Sequence, residues 1–222
     1  MNDDNVTTYK GYKIKLTPDT DPENPRSWGC LGTFVSGHRR EWHGDTTIGQ
    51  PQHSKESHCE YQFDSADEVS ALIKQEQAVF LPVYMYSHSG ETVSTSNNHY
   101  PFTDPWDAGQ LGVIFVTAAK IRAEFKVKRI SKQVLAKVER ILEQEIETYN
   151  QWLTGDVWGY EIFEPDCEDL ESADSVDSCW GYYGSDYCLK QAQDGVDLII
   201  EANQAAAWGK FQQAELSGVI SD

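Results

Sequence analysis

The stretch SKQVLAKVERILEQEIETYNQWLTG, residues 131–155, repeats its apolar residues at helical spacing from end to end. Ser131 is an N-cap residue type, and Gly155 supplies the left-handed residue on which helices commonly end. Between them Val134, Leu135, Val138, Ile141, Leu142, Glu145, Ile146, Tyr149 and Trp152 or Leu153 form a mostly apolar face. A helix striped in this way is stable only when a second layer covers the stripe. The remainder of the chain must supply that layer.

It does so with strand-like runs. Tyr12–Leu16 alternates apolar and basic residues, LGTFVSG follows from Leu31, and AVFLPVYMYS from Ala78 leads through a turn to ETVST. Pro82 interrupts one of these runs, which predicts an edge or a bulge there. LGVIFV from Leu111 reads as a buried strand running into a short helix, TAAKIRAEF. FDSADEVSALIKQEQ predicts another short helix capped by Asp64 or Ser65. VWGYEIF and SVDSCWGYY read as an antiparallel pair, and SDYCLKQAQDGVDLIIEANQAAAW as a second long helix from Ser185 or Asp186. Strands and helices without βαβ alternation predict an α+β fold, an antiparallel sheet packed with two long helices and one or two short ones. The expectation is a single domain over residues 1–222, with a long exposed loop at 41–60 and a tail that frays from residue 209.

Charge is unevenly written along this chain. Its formal charge is −18, and the 49 residues between Arg140 and Lys190 hold 13 acids and no Lys or Arg. Just upstream, Lys120, Arg122, Lys126, Lys128, Arg129, Lys132, Lys137 and Arg140 face only Glu124 and Glu139. Such negative charge opposes phosphate backbones and anionic membranes, so direct nucleic-acid binding and membrane partners are not expected. No apolar run is long enough to span a bilayer and the first residues lack a secretion-signal layout, which together predict a cytoplasmic protein. Five cysteines, at 30, 59, 167, 179 and 188, have no framework spacing and read as free thiols, a Cys179–Cys188 bridge being the lesser alternative.

Several groupings could carry chemistry. His38, His43, His53, His58 and Cys59 contain H-x4-H spacings, but zinc sites favour tighter Cys pairs, so a polar loop is the better reading and no metal or cofactor is assigned. His88, His99, Asp104 and Asp107 lie among hydroxyls, so a hydrolase or metal-dependent enzyme with a site around His88–Asp107 stays as an alternative. No nucleophile elbow or phosphate-cradling glycine loop supports it, and Trp106 is expected to pack inward in a structural turn. The basic segment 120–140 keeps a second alternative, a nucleic-acid-binding protein.

The leading reading rests on the acidic stretch. Asp156, Glu161, Glu164, Asp166, Glu168, Asp169, Glu171, Asp174 and Asp177 are interleaved with aromatics that strand alternation would turn into a core, Trp158 and Trp180 among them, leaving the carboxylates outward on a fixed grid. Such a grid imitates phosphate spacing. It predicts a non-enzymatic inhibitor that mimics nucleic acid and binds a basic nucleic-acid-handling protein or complex of a host.

The segments HSGETVSTS, PWDAGQLGVIFVT, ETYNQWLTGDVWGY and DSCWGYYGSDYC resemble a family of small, mostly uncharacterised proteins of bacteriophages and other mobile elements. The resemblance covers about residues 78–190 and transfers no catalytic residue. It implies a phage accessory protein. Acidic proteins of that kind often block host defences, as anti-CRISPR and antirestriction proteins do.

Overall fold

A computed structural model describes residues 5–37, 43–49, 60–88, 90–95, 102–103 and 106–218. The chain is α+β, and its described elements are β1 (Val6–Tyr9), β2 (Tyr12–Pro18), β3 (Thr33–Ser36), β4 (Thr46–Thr47), α1 (Ala66–Gln75), β5 (Val79–Ser87), β6 (Glu91–Thr95), β7 (Ala108–Val116), α2 (Ala118–Glu124), α3 (Lys132–Thr154), β8 (Val157–Phe163), β9 (Asp177–Tyr183) and α4 (Ser185–Gly218). The sequence suggests one sheet, but the strands sort into two, because the N-terminal hairpin pairs with the strand that follows α3. Two compact units result. A central unit spans Glu23–Gly155, and a terminal unit combines the residues up to Pro22 with those from Asp156 onward.

In the central unit the sheet order is β4-β3-β7-β5-β6, antiparallel except for the β3–β4 pair. Alternation sends Ile114 and Val116 of β7 to one face and Phe115 to the other. On the first face Phe34, Leu81, Val83 and Val93 join them against Ile121 of α2 and Val138, Leu142, Ile146 and Tyr149 of α3, so the predicted stripe is the one that is buried. On the second face Val69 of α1 and Phe63 cover Val35 and Phe115. The helices start where side chains cap them: Ser65, Thr117 and Ser131 accept N–H groups of the first turns. Pro82 sits in β5, an interior strand rather than an edge, and the register shifts one residue later, between Val83 and Tyr84.

One charged member of the α3 stripe is held apart from the apolar ones. Arg26, almost wholly buried, donates to Asp45 at 2.6 and 2.8 Å, to Glu145 of α3 at 3.1 Å and to the Gly32 carbonyl at 2.8 Å. The remaining acceptor capacity is used as well: Asp45 accepts the Phe34 N–H at 2.7 Å, and Glu145 accepts the N–H groups of Leu31 at 2.6 Å and Gly32 at 3.1 Å. The carboxylates and hydrogen bonds outweigh desolvation, holding the guanidinium well above its ordinary pKa.

The terminal unit has a sheet of order β1-β2-β8-β9, antiparallel throughout. Tyr12, Ile14, Tyr160 and Ile162 lie on one face and pack against Cys188, Ala192 and Val196 of α4. Cys188 is a free, buried thiol and Cys179 a free, exposed one, so no bridge joins them. The helix does not end near Trp208 but continues to Gly218, and its residues 201–208 are all exposed.

Replacing Arg26 with Met should leave Asp45 and Glu145 buried without their cation, a change expected to cost about 3–5 kcal/mol of stability. Urea denaturation of Arg26→Met checks this. An unshifted midpoint would show that the network contributes nothing.

Candidate functional site

The structure distributes the nine acids that the sequence singles out into three groups. Asp156 serves the fold: its Oδ1 accepts the Trp158 indole N–H at 2.6 Å and the N–H of Ser185, at the start of α4, at 3.3 Å. A carboxylate there also faces the positive end of the helix dipole. Glu161 of β8 lies across from Lys15 of β2, at 3.6 Å. Glu164, Asp166, Glu168, Asp169, Glu171, Asp174 and Asp177 form the third group, and all seven are exposed.

That third group does not stand on a strand grid, because only Asp177 belongs to a strand and the other six lie in the β8–β9 connection. Nor does the aromatic scaffold form as expected. Trp158 is half-buried against the terminal core, but Trp180 is 48% exposed on β9. Its ring lies over Gly159, where an added Cβ would come within 2.1 Å of the indole. The pleat cannot hide Trp180 because α4 covers only the other face of the sheet.

Turns brace the connection instead. Cys167 N–H donates to the Glu164 carbonyl at 3.1 Å, Ala173 N–H to the Asp169 carbonyl at 3.2 Å, and Val176 N–H to the Ile162 carbonyl at 2.7 Å. Lys13 of β2 reaches across to donate to the Cys167 carbonyl. The Asp169 carboxylate takes the Ser172 hydroxyl at 2.7 Å and the Glu171 N–H at 3.0 Å, which holds it below the usual carboxylate range. At its end Asp177 accepts the buried Tyr160 hydroxyl at 3.2 Å, and burial together with this carboxylate pushes that phenol up to about 12.

The opposite charge lies in the central unit, where the eight basic residues from Lys120 to Arg140 occupy α2, the turn after it and the first half of α3, all exposed. Lys120 Nζ donates to the Cys30 carbonyl at 3.0 Å, and Lys137 Nζ sits 5.4 Å from the Phe125 ring centroid.

Of the residues weighed for catalysis, His88 and Asp107 do pair, Nδ1 to Oδ2 at 2.8 Å, but on the surface, His88 being 66% exposed. His99 and Asp104 lie outside the described residues, and Trp106 is 92% exposed rather than packed inward. His43 is the one described member of the His38–Cys59 group; His38, His53, His58 and Cys59 lie outside the described residues. His43 is buried, with Nδ1 3.2 Å from the Tyr149 hydroxyl and Nε2 3.5 Å from the Glu91 carboxylate. Among the described residues no three His, Cys, Asp or Glu groups gather as a metal would require, and no helix is long and apolar enough to cross a membrane.

Sequence reasoning missed one feature. A cleft of about 690 Å³ opens above Arg26 and Asp45, bordered by Trp28, Cys30, Tyr61 and Lys120. Burial raises the Cys30 thiol pKa. Because the Arg26–Asp45 wall spends its hydrogen bonds within the fold, it offers little to a ligand. No family model, no curated protein and no solved structure matches the chain.

Burial pushes the Tyr149 phenol up to about 12, from an ordinary value near 10. The folded state therefore keeps its proton where the unfolded chain loses it. The corresponding stability is complete below pH 10 and drains away as pH rises from 10 through 12, a loss of about 2–3 kcal/mol. Urea midpoints measured across that window should fall more steeply for the wild type than for Tyr149→Phe. Parallel slopes would contradict the assignment.

Proposed function

We propose that this protein is an acidic, non-enzymatic binding protein whose 164–177 segment occupies the basic, nucleic-acid-binding surface of another protein, as anti-CRISPR and antirestriction inhibitors do. The observation carrying this reading is the exposure of seven carboxylates on a braced segment that contains no Lys or Arg. Like charges about 4 Å apart repel by on the order of 1 kcal/mol in water and more beside protein, so concentrating them opposes folding. A basic groove offsets that repulsion in a complex. Turn hydrogen bonds and Lys13 restrain the segment before the partner arrives, which lowers the entropy cost of binding. Asp156 and Glu161, already engaged within the fold, fall outside the contact set.

A second reading has its own observation. The eight exposed cations of α2 and α3 would suit a polynucleotide held by the central unit. A gel shift at low salt with a 30-nucleotide RNA and DNA decides between the two. The mimic predicts no shift, and a shift abolished by reversing Lys128, Arg129 and Lys132 would replace it.

For the mimic, immobilised protein should capture basic nucleic-acid-binding proteins from a bacterial lysate, and capture should weaken at least about tenfold from low to high salt. Converting Asp166, Glu168, Asp169, Glu171, Asp174 and Asp177 to their amides should abolish capture without unfolding the protein, which a retained cooperative urea transition checks. Undiminished capture by that variant would overturn the proposal.

A further inference from the structure

β9 is the outermost strand of its sheet: one side pairs with β8, and among the described residues no strand lies on the other. Asp177, Ser178, Cys179, Trp180 and Gly181 are all exposed. In an antiparallel strand alternate residues turn their N–H and C=O groups away from the paired neighbour, so an open edge presents a row of donors and acceptors to water. Proteins usually blunt such edges with Lys, Pro, a bulge or a covering element. β9 contains neither Lys nor Pro. Its one guard is a bulge in which Trp180 and Gly181 together oppose Gly159 of β8, and there Gly181 adopts φ +83°, a conformation that suits glycine. Among the described residues the stretch Asp177–Cys179, directly after the acidic segment, stays unguarded, and Trp180 stands at its end as the first residue of the bulge. The β6 edge of the central sheet shows the contrast, for there Asn150 of α3 accepts the Val93 N–H at 2.8 Å.

We infer that β9 is a strand-addition site, where an extended basic segment of the partner protein pairs its main chain with the outer edge of Asp177–Trp180 and sets its Lys and Arg side chains against the carboxylates of residues 164–177. Charge selects this occupant: the strand begins at Asp177, and the 13 residues leading to it carry six further acids and no cation. Trp180 adds an anchor, its ring fixed over Gly159 and half exposed, able to pack against the stem of a Lys or stack under a guanidinium. Main-chain pairing supplies affinity and the flanking side chains supply selectivity, as in other strand-addition complexes. A second copy of this chain is a poorer occupant, since each copy carries −18. The inference rests on the acidic segment being the partner-binding surface, and it adds how the partner is held.

The probe is a 12-residue peptide of alternating Val and Lys, compared with the same peptide methylated at every main-chain nitrogen, which keeps each charge and removes each donor. Fluorescence anisotropy at low salt should show the methylated peptide binding at least tenfold more weakly, and the unmethylated one should slow hydrogen exchange at Asp177–Trp180. Equal binding by both peptides, lost when the six acids are amidated, would overturn strand addition and leave the acidic surface standing. If neither peptide binds, both ideas fall. Strand addition also falls if sedimentation finds a dimer whose β9 amides are protected without peptide.

Discussion

The guanidinium of Arg26 is the point on which the central unit turns. It joins the short helical turn at Pro25–Ser27, the approach to β3, the residue before β4 and the middle of α3 through hydrogen bonds that leave its two carboxylates fully used. A buried cation with a single partner would be a liability, because desolvation exceeds what one pair returns. Two carboxylates and three main-chain N–H groups change that balance. They also fix the rotation of α3 about its own axis, so that Val138, Leu142, Ile146 and Tyr149 meet the sheet together.

Charge follows the division into units. The cations of residues 120–140 belong to the central unit and the acids of 156–177 to the terminal one, and each unit builds its own core, so most of the net negative charge of the chain falls on the terminal unit. In the terminal unit the acids collect at a hairpin end, and among the described residues the neighbouring strand β9 pairs on one side only. In the binding reading proposed above these two features act together. The charge supplies long-range attraction, and an unpaired main chain supplies directional hydrogen bonds at short range.

Much of this architecture was legible in the chain. Ser65 and Ser131 announced their helices as caps, and the alternation through Val157–Phe163 and Asp177–Tyr183 announced the β8–β9 pair. The acidic segment was equally plain, since composition alone reveals it. Its support was misread. Periodicity says which residues share a face of a strand but not whether anything covers that face, and α4 covers one side only, so Trp180 stays half exposed. Trp106 was misjudged for a related reason: an aromatic residue in a turn does not reveal whether a core lies within reach. Glu145 was the one available clue to the Arg26 network, a carboxylate within an apolar stripe. Nothing in the sequence around Arg26 or Asp45 names them as its partners, because 119 residues separate Arg26 from Glu145.

Local physics therefore determined the elements of this protein: side-chain periodicity set helix against strand, capping residues set where helices begin, and charge counting located the acidic and basic segments. Long-range pairing decided the rest. Only the tertiary structure joined the N-terminal hairpin to β8 and so made two units of the chain, placed Asp45 and Glu145 around Arg26, drew Asp156 into the start of α4 and set β9 at the edge of its sheet. The reason is physical: hydrogen-bond pairing and burial depend on which distant segments meet, and a residue's neighbours in sequence carry no record of that meeting.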